Sequence, residues 1–237
     1  MNLKFKIQNS KFRFIPFRAV YNRYPDLLVY LAFLAMAIIA FWQVAFLKYS
    51  LKWDMIDCYL PWRYFTGECL QNNIFPWWNP YQHLGYPIHA DLRSVWYPEV
   101  LIIGSTTGYS NYTLHFLFIF YISLAGFGFF RLSKAMGTSR IASFLAGTCY
   151  MLSGYFVGRG QDMGWIIAAA WLPFVILSYL KMLDDQKIFD VLKFCIFTFL
   201  MVTGGYQAHT IILPYLLLIL FIYYSITAIM KKEYKRL

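Results

Sequence analysis

Apolar runs close to 20 residues long recur along this chain, and few features restrict a fold as severely. A helical run of that length matches the roughly 30 Å hydrocarbon core of a bilayer. Lipid leaves helices and closed barrels as the only structures able to cross it. Six runs meet the description: 27–48, 112–132, 141–158, 164–180, 188–202 and 208–230. The fifth is the weakest, because Asp190 and Lys193 sit near its start. Composition agrees, with 60% hydrophobic residues, 14% charged and a mean hydropathy of +0.50. A soluble domain of this length needs more charge to cover its surface. The expected fold class is all-α: a polytopic membrane helical bundle of about six transmembrane helices, with a long loop after helix one. Residues 1–26 read as a basic N-terminus and 27–237 as the transmembrane domain, including the loop 49–111. The N-terminus lacks a small-residue cleavage site, so the first helix reads as an uncleaved anchor.

The net charge of +10 raises the question of nucleic acid, and its distribution answers it. With six spans and the N-terminus inside, the inner segments hold Lys4, Lys6, Lys11, Arg13, Arg18, Arg23, Arg131, Lys134, Arg140, Lys181, Lys187, Lys193, Lys231, Lys232, Lys235 and Arg236. The outer segments hold Lys48, Lys52, Arg63, Arg93 and Arg159. That asymmetry is the positive-inside rule. The charge thus reports topology and contact with anionic lipid headgroups, and no nucleic-acid partner is expected. Both termini are expected to be cytoplasmic.

The loop 49–111 breaks the membrane pattern. It collects Pro61, Pro76, Pro80, Pro87 and Pro98, together with Trp53, Trp62, Trp77, Trp78 and Trp96. Prolines at that density forbid a long helix. The stretch 57–69 could form a short amphipathic helix with Pro61 in its first turn. The apolar stretch 96–104 is too short to span and is expected to lie in, or dip into, the interface. Cys58 and Cys69 share this loop, so a disulfide between them is open, while Cys149 and Cys195 read as buried thiols within helices.

Three constellations could carry chemistry. Asp54 and Asp57 lie just past helix one and share a helical face if the segment is helical. At a membrane surface, partial desolvation would make one a usable general base, or the pair could hold a divalent cation; otherwise they are a solvated cap. The stretch 75–93 interleaves Trp77, Trp78 and Tyr81 with Asn79, Gln82, His83, His89, Asp91 and Arg93. An interfacial aromatic belt explains the rings. Rings plus planar hydrogen-bonding groups suit a sugar, and Arg with His suits a phosphate. His83, His89 and Asp91 form no complete metal-ligand set. The third constellation joins two short outer loops, with Arg159, Gln161 and Asp162 in one and Gln207 and His209 in the other. They are ordinary helix ends or parts of a shared polar pocket in which Arg159 meets a lipid phosphate. His115, at the start of helix two, reads as packed.

Several motifs occur in a telling order: an Asp after helix one, then Tyr59-Leu60-Pro61-Trp62-Arg63, Pro76-Trp77-Trp78-Asn79-Pro80-Tyr81, Gly85-Tyr86-Pro87, Ala90-Asp91 and Trp96-Tyr97-Pro98. Leu152-Ser153-Gly154-Tyr155-Phe156, Ala170-Trp171-Leu172-Pro173 and Gly204-Gly205-Tyr206-Gln207 follow. The chain resembles the YfhO-like bacterial membrane proteins of the GT-C superfamily of glycosyltransferases. That resemblance implies a GT-C-like fold in the bacterial cytoplasmic (inner) membrane. It also implies transfer of a sugar from a polyprenyl-phosphate donor to a cell-envelope acceptor on the outer face. Asp54 would be the catalytic carboxylate with Asp57 its alternative, although Cys58 stands where the family commonly has Gln. Arg93, Arg159 and His89 would stabilise the departing phosphate. Trp77, Trp78, Asn79, Tyr81, His83, Asp91, Gln207 and His209 would hold sugar or acceptor. Members of the family extend through further helices, so the resemblance covers an N-terminal part and implies a C-terminal remainder as a partner. The rival expectations are a non-catalytic lipid-handling or transport protein and an inactive fragment.

Overall fold

The computed structural model describes residues 26–91 and 95–230. Its helices are α1 (Asp26–Ala40), α2 (Trp42–Ala45), α3 (Leu60–Gln71), α4 (Pro98–Ser105) and α5 (Asn111–Ala135), followed by α6 (Arg140–Met151), α7 (Gly154–Gly158), α8 (Met163–Asp185), α9 (Ile188–Gly204) and α10 (Gln207–Met230). A π-helical turn, Met55–Tyr59, leads into α3, and a 3₁₀ turn, Ile88–Ala90, precedes α4. Among the described residues the sole extended pairing is the bridge between Asn79 and Tyr86.

The protein is a membrane helical bundle. Among the described residues, four helices are long and apolar enough to cross a bilayer: Asn111–Ala135, Arg140–Gly158, Met163–Asp184 and Gln207–Met230. α1 has 15 residues and α9 has 17. The first expected run, 27–48, is not one helix. It breaks at Phe41 (φ −113°, ψ 35°), makes the single turn α2, and reverses through Leu47 at φ 58°. His115 stabilises that break, because its Nδ1 donates to Val44 O at 2.8 Å while its Nε2 accepts from Leu51 N at 3.4 Å. The imidazole thus supplies partners that an unbroken helix would have supplied from its own backbone.

α5 is the central helix. Gly126 on α5 and Gly147 on α6 let the two helices meet: a Cβ on Gly147 would lie 2.5 Å from Gly126 O and 2.7 Å from the Phe33 ring. Small residues at such crossings permit close approach in membranes. Serines 110 and 139 cap α5 and α6, and Asp162 caps α8 through Gly164 N. These oxygens accept otherwise orphaned N–H groups.

Contacts at the helix ends fix which ends lie together. Asp26 Oδ2 meets Arg131 at 2.6 Å at one end of α1 and α5, and His115 binds the α2 turn near the other end of α5. Tyr206 N donates to Gly164 O at 3.1 Å, so the end of α9 returns to the start of α8. Tyr224 OH donates to Leu183 O at the opposite end of α8. The described residues of the segment 49–110 gather at the end that carries Gly164 and Tyr206, here termed the loop end. Its Leu51, Met55, Tyr59, Tyr97, Val100 and Tyr109 join the same buried core as α1, α5 and α8.

Two expectations about cysteine are corrected or settled. Cys149 and Cys195 are exposed on the outside of the bundle, where the sequence suggested burial. In a lipid-surrounded bundle the outward faces are as apolar as the inward ones, so hydropathy does not separate them. Cys58 and Cys69 are free thiols.

Candidate functional site

Where α4 begins, a polar cluster is buried at the loop end. Arg63 is 4% exposed and its guanidinium lies 4.0 Å from Glu99 Oε2 and 5.7 Å above the Tyr109 ring. Tyr109 OH donates to Glu99 Oε1 and Tyr121 OH to Oε2, the latter at 3.3 Å. Trp171 Nε1 donates to Tyr97 OH at 3.0 Å, and Tyr97 OH in turn meets Tyr121 OH at 2.6 Å. The donors therefore run in one direction, Trp171 to Tyr97 to Tyr121 to the carboxylate, and a chain so ordered is mutually polarising. Burial works against the charge on Arg63, but Glu99 and Tyr109 more than offset it, and its pKa lies above the usual value. Burial raises the Tyr97 phenol to about 12, and burial likewise pushes the Tyr109 phenol above its ordinary value. Sequence reasoning did not single out Glu99. The available signal was an acid and an arginine placed alone in apolar surroundings.

The acidic turn lies beside this cluster. Met55 and Tyr59 point inward, 0% and 2% exposed, while Asp54 and Asp57 are exposed on the opposite face. Neither carboxylate makes a hydrogen bond or ion pair among the described residues. Tyr59 OH donates to Asp162 Oδ1 at 2.7 Å and accepts from Gly164 N at 3.0 Å. A Cβ on Gly164 would lie 2.5 Å from that hydroxyl, so glycine is required for the clamp to close.

The clamp brings the turn against the segment that carries Arg159. The Arg159 guanidinium sits 4.2 Å from the centre of the Trp165 ring, a cation–π contact. It is exposed and makes no hydrogen bond or ion pair among the described residues. Trp165 stacks on Tyr206 at 5.0 Å and meets His209 edge-on at 5.2 Å. His209 Nε2 pairs with Tyr155 OH at 2.8 Å, while its buried Nδ1 has no hydrogen-bond partner among the described residues. Gln207 is exposed at the start of α10. Of the two alternatives for the short loops, ordinary helix ends or a shared pocket, the structure shows that they lie against each other through Tyr155, Trp165, Tyr206 and His209.

The aromatic stretch forms a separate arm between α3 and α4. Asn79 is 1% exposed and builds the turn: it pairs with Tyr86 through two backbone bonds of 2.9 and 3.0 Å, accepts from Tyr81 N, and donates to Gln82 Oε1. Its amide is therefore engaged in the fold and not presented to a ligand. Trp77, Trp78 and Tyr81 are 63%, 54% and 82% exposed. His89 Nδ1 bonds Trp77 O at 2.9 Å, and His83 packs edge-on against Tyr86. A shallow cleft with room for about one water runs between arm and α3, and Asp91 is in its lining with Tyr59, Trp62 and Arg63. Arg93 lies outside the described residues. Among the described residues no group of three or more His, Cys, Asp or Glu is placed to hold a metal ion.

The structure therefore brings Asp54 and Asp57, Arg159, Gln207 and His209 to one end of the bundle. Compared with known proteins, the chain matches no family model, no curated protein and no solved structure.

Proposed function

We propose that this chain is a membrane glycosyltransferase of GT-C type, moving a sugar from a polyprenyl-phosphate donor to a cell-envelope acceptor. In this reading α1–α2 and α9 also cross the membrane, giving six spans with both termini cytoplasmic and the loop end outside a bacterial inner membrane. The supporting observation is the Tyr59–Asp162 hydrogen bond of 2.7 Å, which ties the turn bearing two uncommitted carboxylates to the segment bearing an uncommitted Arg159. A base and a cation on adjoining elements suit transfer from a lipid phosphate. Asp54, or Asp57 in its place, takes the proton from the acceptor hydroxyl as its oxygen bonds to the anomeric carbon. Arg159 stabilises the phosphate as the sugar–phosphate bond breaks and its electron pair leaves with the phosphate oxygen. Trp77 and Trp78 offer ring faces to the sugar. A divalent cation at the acid pair and a C-terminal partner chain remain part of this proposal.

A lipid-handling protein without catalysis is the second reading, favoured by the exposure and lack of protein partners of Asp54 and Asp57. Asp54→Asn and Asp57→Asn separate the two readings. Loss of a general base lowers turnover about 100-fold or more, so one variant is expected to lose transfer while still binding polyprenyl phosphate. Envelope glycosylation that survives both substitutions, in cells depending on this chain, overturns the catalytic reading.

A further inference from the structure

Between Glu68 and Asp91 the chain contains not one Asp, Glu, Lys or Arg, yet it exposes Ile74, Trp77, Trp78, Tyr81 and Leu84. A loop bathed in water does not combine that much apolar surface with no charge. Leu84 is the extreme, fully exposed at the tip of the arm. Three successive residues, His83, Leu84 and Gly85, hold left-handed φ angles of 51°, 60° and 99°. Only glycine adopts that region freely, so two side chains are held in a costly conformation. The surrounding turn enforces it. Asn79 and Tyr86 pair across its base, Gly85 N donates to Gln82 O at 2.8 Å, and the Trp78 ring occupies the space a Cβ on Gly85 would need. The turn thus presents a leucine outward with its backbone held in an unfavourable conformation.

The arm also leaves the bundle at a telling height. Its base is tied through Trp96 Nε1 to His89 O, and Tyr97 follows directly. Tyr97 packs on Gly204 and receives a hydrogen bond from Trp171. Trp171 lies eight residues into α8, about 12 Å along its axis from the loop end. Because Tyr97 also packs on Gly204, the last residue of α9, the arm departs at the loop end, the end at which a spanning bundle meets the headgroup layer.

We propose that the 74–86 turn is an interfacial anchor that inserts Leu84 and Tyr81 into the headgroup region of the same bilayer the bundle crosses. Uncharged Trp, Tyr and Leu are the chemistry of that layer, with ring edges wet and ring bodies apolar. The anchor tethers the loop at both ends, to the helices through Tyr97 and to lipid through the tip. It is independent of any transfer reaction.

The test uses the full chain with its four cysteines replaced by serine and a single cysteine introduced as Leu84→Cys, Tyr81→Cys or Glu68→Cys. Each carries an environment-sensitive fluorophore and is reconstituted in phosphatidylcholine–phosphatidylglycerol vesicles. The expected result is a blue shift and loss of intensity with shallow spin-labelled lipid at positions 84 and 81, and iodide quenching at position 68. Iodide quenching at 84 and 81 equal to that at 68 overturns the proposal. So does protection from both quenchers, which would mean that protein, not lipid, covers the tip.

Discussion

At the residue scale, the buried tyrosines carry a consequence that pH can expose. Tyr97 titrates near 12 in the folded chain against an ordinary phenol value of 10, chiefly because burial disfavours the phenolate. The folded state therefore holds its proton over a range in which the unfolded state has released it. Stability from this group is complete below pH 10 and declines as pH rises through about 12. A two-unit gap corresponds to about 2 to 3 kcal/mol at its full extent. The Tyr97 contribution to thermal stability in detergent is expected to be flat up to pH 10 and to fall above it. Tyr97→Phe is expected to start from a lower melting temperature, because Trp171 Nε1 loses its acceptor, and to show a shallower alkaline decline. An equally steep decline in that variant would assign the effect elsewhere. The neighbouring polar residues show how far a sequence can be read at this scale. Asp54, Asp57 and Arg159 were legible as candidates for chemistry because each stands at the edge of an apolar run. Glu99 was not, since its meaning depends on Arg63, Tyr109 and Tyr121 arriving from three other segments. Asn79 was legible as polar, but its commitment to the turn appears only once Gln82 and Tyr86 are placed around it.

At the element scale, the length of the apolar runs located the helices well and their interruptions poorly. The short helix expected over 57–69 is present as the π-turn Met55–Tyr59 and α3, and the stretch expected over 96–104 is α4. The break at Phe41 was invisible, because no Gly or Pro marks it and its cause, His115, lies far along the chain. Helix crossings belong to the same class of long-range information. Gly147 reads as one more small residue, yet it is the contact on which α5 and α6 close. In Gly147→Ala the new methyl would stand 2.5 Å from the Gly126 carbonyl, and a backbone oxygen inside a helix cannot turn aside. α6 must then lift from α5 and from Phe33, with a cost of about 1 to 3 kcal/mol for overpacking. Gly154→Ala is the matched control, since nothing lies within 4 Å of its added carbon. A lowered melting temperature for the first and an unchanged or raised one for the second is the expected outcome. Equal melting temperatures would show that the crossing is not tight.

At the scale of the whole molecule, the question is how many times the chain crosses the bilayer, and geometry bears on it more than length does. By length, α1 at 15 residues and α9 at 17 would rise about 22 and 25 Å, short of a 30 Å core. Yet α9 begins where α8 ends and finishes beside Gly164, where α8 begins, so it covers the thickness that α8 covers. α1 with α2 likewise runs beside α5 from Arg131 to His115. Short helices in such positions are accommodated by local thinning or by flanking residues reaching for the interface. The basic residues at 131–140 and 181–193 then lie at the same end of the bundle, the one opposite the loop end, as the six-span reading requires. Single cysteines at Asn2, Thr107, Gly137, Gln186 and Gln207, introduced into a cysteine-free chain, test this with an impermeant maleimide. In intact cells Thr107→Cys and Gln207→Cys are expected to label, while Asn2→Cys, Gly137→Cys and Gln186→Cys label only after permeabilisation. Labelling of Gln186 and Gln207 from the same side would mean that α9 does not cross. Labelling of Asn2 from the side of Thr107 would remove α1. Either result would revise the topology without separating Asp54 from Arg159, because the Tyr59–Asp162 hydrogen bond holds their segments at one end of the bundle whatever the span count. Labelling of Thr107→Cys only after permeabilisation is the outcome that would remove the outer face on which they are proposed to meet a lipid phosphate.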